Sequence, residues 1–298
     1  MTLNEFAKKA CDEIAKMLGK EVQFKEVVKL NGVKHYGLIM HASDSNVEPT
    51  LYLEPFYQMY MEDGNWSDII HRIITSYQAH SLHKHIDMEW FKDFNKVQDL
   101  IFHKLINYDA NTELLEDIPY TRCLDFAIVY CVHYESAETG SGSILIHNSH
   151  LEMWHRTTHD LARFAEENTP RLYPLTVSTM GEIISECIAI ASDHPLSAEE
   201  IDKVPMYVMS NKQRCNGAIS ICYKGSLQNF SRLVNSDVII LPSSVHEVIM
   251  LPLETKTDFN ELKDMVYQVN RNQLTREDFL SDNIYLYRRD TDSIEIAA

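Results

Sequence analysis

Basic residues are in short supply in this chain: 27 Lys and Arg stand against 44 Asp and Glu, a net charge of −17 with His neutral. Affinity for nucleic acid comes largely from Lys and Arg displacing counterions from phosphates, so this balance argues against nucleic acid and anionic membrane as partners. The densest basic pair, Arg288-Arg289, runs into Asp290 and builds no patch. Long apolar runs are missing as well. The richest stretches, 125–134 and 238–251, are broken by His, Glu or Pro, and neither approaches the ~20 residues that span a bilayer. Glycine and proline number only 9 each, which excludes collagen-like and linker-dominated regions. No GxxxxGK[ST] or GxGxxG occurs, so nothing marks a phosphate loop or a doubly wound nucleotide fold. The six cysteines, at 11, 123, 131, 187, 215 and 222, form no CxxC. The opening Met-Thr-Leu-Asn-Glu lacks the apolar core of a signal peptide. Together these predict a cytoplasmic protein with reduced thiols, several of them small core residues. Nucleophiles are unmarked: Ser243-Ser244 has no glycine-flanked elbow, and no cysteine has a glycine-rich or basic sequence setting that would depress its pKa.

What is present is ordinary globular material, 45% hydrophobic and 24% charged, in a chain long enough for roughly one to three domains. Leu3, Phe6, Ala10, Ile14 and Met17 recur at helical spacing, with Gly19 placed as a C-terminal cap. Val22 to Val28 and Tyr36 to Met40 read as a hairpin turning at Asn31-Gly32, a dipeptide suited to positive φ. A short strand at Thr50–Leu53 follows, then two amphipathic helices, one on Trp66, Ile69, Ile70, Ile73 and Tyr77, the other on Trp90, Phe94, Val97, Ile101 and Leu105. The aromatic run Tyr52, Phe56, Tyr57 and Tyr60 is the core face of a helix.

Further on, Leu124–Tyr134 and Ser143–His147 read as strands joined by a polar loop. Helices follow from Thr157-Thr158 to Asn168-Thr169-Pro170, and on Met180, Ile183, Ile184, Cys187, Ile188 and Ala191. After a loop at 193–205 come strands Met206–Ser210 and Ala218–Tyr223, turning at Asn216-Gly217, and a helix over Ser226–Val234. Strands Val238–Leu241 and Val245–Leu251 and a last helix on Phe259, Leu262, Val266 and Val269 complete the pattern. This predicts an α+β fold of mostly antiparallel sheets built from hairpins with flanking helices, carrying a repeated β-β-α unit. The organisation expected is a helix-hairpin-helices region over 1–112 and a region with two β-β-α units over 113–298, as two domains or one compact body.

Two clusters could carry chemistry. The first, Ile146-His147-Asn148-Ser149-His150-Leu151-Glu152, offers imidazole and carboxylate side chains where a strand passes into a helix; a bend after His147 would be required to bring His147 and His150 together. Its spacing matches no standard metal site. The second is Pro242-Ser243-Ser244-Val245-His246-Glu247. It fails as a zinc-peptidase helix because position 250 is Met and the neighbours are strand formers. Read as a strand apolar on both faces, it places either His246 or Glu247 among packed side chains, where a buried ionisable group needs a partner. The binding candidates are therefore His147, Asn148, His150, His246 and Glu247.

Several phrases together resemble an uncharacterised domain-of-unknown-function family of clostridial-type bacterial proteins. They are Pro49-Thr-Leu-Tyr-Leu-Glu54 with Phe56-Tyr57, Lys104-Leu-Ile-Asn-Tyr108, Ile144-Leu-Ile-His-Asn-Ser-His-Leu151, Asn168-Thr-Pro170 and Met206-Tyr-Val208 with Asn211 and Gly217-Ala218. Leu241-Pro-Ser-Ser-Val-His-Glu-Val248 and Leu280-Ser-Asp282 with Tyr285 complete the set. The resemblance implies a bacterial cytosolic origin and brings no assigned activity, cofactor or catalytic residue. The expectation is a ligand- or protein-binding role, with a metal- or His/Glu-assisted hydrolase as the alternative.

Overall fold

Thr2 opens the first helix, Leu3–Leu18, with a reciprocal cap: its backbone N–H donates to Glu5 Oε2 at 2.8 Å and its hydroxyl accepts from the Glu5 N–H at 3.3 Å. Gly19 closes the helix at φ 61°, its N–H reaching the Ala15 carbonyl. The computed structural model describes residues 1–40, 50–80, 88–136, 140–191 and 205–298, and groups the chain into Met1–Glu89 and Trp90–Ala298. Helices flank three sheets, and the strand pairings among the described residues are antiparallel, as an α+β fold requires.

In the first unit β1 (Val22–Val28) pairs with β2 (Lys34–Met40), and β3 (Leu51–Tyr52) adds to β2. The hairpin turns through Asn31 at φ 57° and Gly32 at φ 67°, the left-handed pair the dipeptide favours. Helices Glu54–Asp63 and Trp66–His80 complete it. Phe6 is fully buried, with ring centroids of Tyr57, Tyr60 and Trp66 at 5.4, 5.6 and 5.4 Å, so Phe56, Tyr57 and Tyr60 face the core, whereas Tyr52 lies on β3 and not on the helix expected to carry it.

The second unit corrects several expectations. Trp90 to Leu105 is not one helix: after short turns at Glu89–Lys92 and Phe94–Val97 the chain becomes β4 (Ile101–Asn107). Ile101 and Leu105 satisfy helical spacing and strand alternation alike, and β4 is buried on both faces, so periodicity could not separate the two. The long β6 (Phe126–Ser136) carries β4 on one edge, and β5 (Tyr120–Cys123) and β7 (Gly140–Leu145) on the other. Residue 112 lies on the chain between β4 and β6, strands of this one sheet. Helix Thr158–Leu172 runs past Asn168 and takes Pro170 into its last turn, where the missing N–H would have faced exposed Glu166.

The other sheet has the order β13-β12-β10-β11-β9-β8, with β8 Leu175–Thr179, β9 Tyr207–Asn211, β10 Val238–Leu241, β11 Val248–Pro252, β12 Tyr285–Arg288 and β13 Ser293–Ile296. Val238 and Ile240 face one core with Leu105, Phe126, Phe230 and Tyr285; Ile239 and Leu241 face another with Val266 and Leu286. Residues 218–222, expected as a strand, belong to a 3-10 helix over Gly217–Cys222, so the second β-β-α unit is absent there. The expected loop at 193–204 lies outside the described residues. Asp125 fastens the C-terminal segment to the β5–β6 turn, accepting from Tyr285 Oη at 2.6 Å, Ser281 Oγ at 2.8 Å and Asn283 Nδ2 at 3.1 Å.

Candidate active site

Two loops of the six-stranded sheet meet at His246. The first runs from the end of β9 to the 3-10 helix, residues 211 to 217, and is held in an irregular path. Arg214 and Asn216 have φ 50° and 51°, conformations that cost a side-chain-bearing residue energy unless its surroundings fix it. Asn211 supplies the fixing: its Nδ2 donates to the Cys215 carbonyl at 2.8 Å and its Oδ1 accepts from the Cys215 N–H at 3.2 Å. Gly217 lies against Ser210 Oγ, the His246 carbonyl and the Asn211 N–H too closely for any Cβ. Cys215 is therefore presented, exposed, at the crest of a braced loop.

The second loop, 242 to 247, precedes β11. His246 and Glu247 are thus not part of the strand, whose first residue is Val248, and the alternation that would bury one of them does not apply. The loop is tied by Ser244: its Oγ accepts from the His246 N–H at 3.0 Å and its N–H donates to the Glu247 carbonyl at 3.2 Å. Ser210 Oγ donates to the His246 carbonyl at 2.8 Å. Glu247 is half-buried beside the site.

The His246 ring is held at both nitrogens. The Asn216 N–H donates to Nδ1 at 3.1 Å, and Nε2 lies 3.1 Å from Asp278 Oδ1. An acceptor at Nδ1 sets the neutral tautomer with its proton on Nε2, facing the carboxylate. Asp278 is itself oriented by Thr275, whose hydroxyl donates to Oδ2 at 2.7 Å. Asn216 links this ring to Cys215: its N–H lies on His246 Nδ1, and its Nδ2 donates to Cys215 Sγ at 3.2 Å.

That geometry moves both ionisations. Interaction with His246 holds the Cys215 thiol below its ordinary value against the opposing effect of burial, and the charge of Lys104 acts the same way. His246 is raised, first by the bond to Cys215 and then by Asp278, with burial opposing. Both shifts favour the thiolate–imidazolium form.

The structure brings His147, Asn148 and His150 together, but not with His246. His147 precedes helix Asn148–Trp154; its Nδ1 lies 2.7 Å from Asp117 Oδ2, and its backbone N–H donates to His150 Nδ1 at 3.1 Å. The Asn148 N–H donates to the Asp117 carbonyl at 2.9 Å and its Nδ2 to the Glu116 carbonyl at 3.1 Å. His150 packs edge-on against Phe91, and burial lowers its pKa. These contacts pin a helix start to residues 116 and 117. Among the described residues, no group of three or more His, Cys, Asp or Glu side chains is arranged to hold a metal ion, and no helix is long and apolar enough to cross a membrane.

Cys215 and Asp278 were missed from sequence. Cys215 gains its imidazole from 31 positions away, and the local signal was a cysteine in the polar run Asn211-Lys-Gln-Arg-Cys-Asn-Gly217. Asp278 carries no local signal.

Over residues 3–289 the chain matches, and belongs to, a family of unknown function, DUF5688. No curated protein and no solved structure matches it.

Proposed function

We propose that this protein is a thiol-dependent enzyme of the acyl-transfer or hydrolase class, with Cys215 as nucleophile, His246 as base and Asp278 as the group that orients His246. The observation that carries this reading is the alignment of an exposed thiol, an imidazole and a carboxylate on braced loops. The Cys215 proton passes to His246 Nδ1, whose lone pair gives up the Asn216 N–H to take it, and Sγ attacks an electrophilic carbonyl carbon. The bond to the leaving group breaks as that group takes the proton from the imidazolium. Water, losing a proton to His246, then attacks the thioester, releases the acid and restores the thiol. Asp278 stabilises the imidazolium without itself becoming protonated. In this reading His246, a binding candidate from sequence, acts as the base, with Cys215 rather than a metal or Glu247 as its partner. A bacterial cytosol, which keeps thiols reduced, is the setting proposed with this reading.

The test is p-nitrophenyl acetate, an activated ester that acylates reactive thiols. The wild-type protein is expected to give a burst of p-nitrophenol and an acetyl group on the Cys215 peptide, both lost in Cys215→Ser. No burst and no acetyl on Cys215, or a burst unchanged in Cys215→Ser, would overturn the proposal.

A second, non-catalytic reading is favoured by a separate cavity of about 370 Å³ lined by Trp90, Leu100, His133, Tyr134, Glu135 and Leu172. Trp90 lies parallel to Tyr134 with centroids 6.2 Å apart, and His133 Nδ1 is 3.0 Å from Tyr173 Oη. Apolar walls with one imidazole and one carboxylate suit a small planar ligand.

A further inference from the structure

Asn216 stands at the N-cap of the 3-10 helix Gly217–Cys222, a position where an Asn side chain ordinarily accepts a backbone N–H of the first turn. Here the side chain makes no such bond. Its Nδ2 donates instead to Cys215 Sγ at 3.2 Å, while its backbone N–H donates to His246 Nδ1 at 3.1 Å. Both donors are held in place. The left-handed backbone, φ 51°, is one that Asn adopts more readily than most residues. Gly217 next to it is packed too tightly against the His246 carbonyl and the Asn211 N–H for the chain to drift. Asn216 is half-buried, so its amide is partly shielded from water although the thiol is exposed.

We infer that Asn216 is the oxyanion donor of this site, its side-chain amide stabilising the charge that develops on the carbonyl oxygen of an ester or thioester substrate as Cys215 Sγ adds to the carbon. The inference rests on the acyl-transfer reading of Cys215 and names the group that holds the tetrahedral intermediate. Sγ supplies an electron pair to the carbon, the S–C bond forms, and the π pair of the carbonyl moves onto oxygen. That O⁻ is one bond from the carbon that sulfur has joined, so a donor in hydrogen-bond contact with Sγ is within its reach. The pair then returns to the carbon, and the bond to the leaving group breaks. The amide carries two hydrogens, enough to serve sulfur and oxygen together as charge passes from one to the other. Transfer of the Cys215 proton to His246 Nδ1 also frees the Asn216 backbone N–H, the amide that directly follows the nucleophile, as a second donor.

Asn216→Gly in the full-length protein tests this, since glycine keeps the backbone N–H and accepts positive φ while removing only the side-chain amide. Two reactions at Cys215 are followed by peptide mapping, each on the high-pH plateau where the thiol is ionised. Acetylation by p-nitrophenyl acetate passes through an oxyanion. Alkylation by iodoacetamide displaces iodide from a saturated carbon and does not. Acetylation should fall about 10²-fold, the lower end of the loss from removing one oxyanion donor, because this thiol is exposed. Alkylation should keep its wild-type plateau rate. Equal acetylation in wild type and Asn216→Gly would overturn the inference and leave the reading of Cys215 standing. A matching fall in both reactions would overturn it as well, because Asn216 would then act on the thiol alone. No acetylation of Cys215 in the wild type would overturn the reading of Cys215 and the inference with it.

Discussion

His246 Nε2 and Asp278 Oδ1 lie 3.1 Å apart although 32 positions separate them in the chain. The contact survives because its backbone is sewn in the same place: the Val245 N–H donates to the Asp278 carbonyl at 2.9 Å. Replacing Asp278 by Asn keeps that backbone bond and the side-chain volume but removes the negative charge facing Nε2. Alkylation of Cys215 by iodoacetamide at neutral pH should slow while the melting temperature stays near wild type. A larger loss is expected from His246→Gln, with turnover of an activated ester falling on the order of 10²–10⁴-fold, the range of a lost general base. Rates read by peptide mapping at Cys215 check both.

Gly217→Ala should destabilise the protein. A Cβ there would meet the His246 carbonyl at 2.6 Å and the Asn211 N–H at 2.7 Å, and both are backbone atoms that cannot turn aside. The expected loss is roughly 1–3 kcal/mol, the usual range for overpacking. Gly142→Ala, with nothing within 4 Å, is the matching control and should be near neutral. Urea melts of the two variants check this.

His103 makes stability depend on acid. It sits on β4 with its Nε2 buried and without a hydrogen-bond partner, and burial lowers its pKa to about 4. An unfolded histidine has a pKa near 6.5, so the folded state holds fewer protons between these values. The stability contributed by neutral His103 is therefore complete above pH 6.5 and is lost as pH falls toward 4. At about 1.4 kcal/mol per pK unit the ceiling on that loss is roughly 3 kcal/mol. His103→Leu should flatten the dependence of melting temperature on pH over this window. An unchanged slope would show that other groups carry it.

Elements with local signals were legible from sequence: the Gly19 cap, the Asn31-Gly32 turn and the helix over Ser226–Val234 each depend on a few neighbouring residues. Failures came where two periods coincide. Ile219 and Ile221 alternate like a strand, yet both are buried on a 3-10 helix because the chain from 217 to 222 turns into the core. Ile101 and Leu105 fit a helix and lie on a strand. The C-terminal hairpin β12–β13 went unread. Of the site, His246 stood out as an ionisable residue amid strand-forming neighbours. Its partners did not, because a loop crest and a carboxylate 32 positions on meet it only through the fold. His147 and His150 do meet, through the bend after His147 that bringing them together requires, while Asn148 bonds the carbonyls of Glu116 and Asp117.

The most direct test of the account is the pH dependence of Cys215 alkylation in the wild type and in His246→Gln. His246 beside Cys215 favours the thiolate, so reactivity should persist below the usual thiol range and be lost as pH falls through the lowered pKa. In His246→Gln the midpoint should move up toward 9, the ordinary thiol value. A wild-type midpoint already at that ordinary value, and unmoved by His246→Gln, would contradict the assignment of Cys215 as an activated nucleophile.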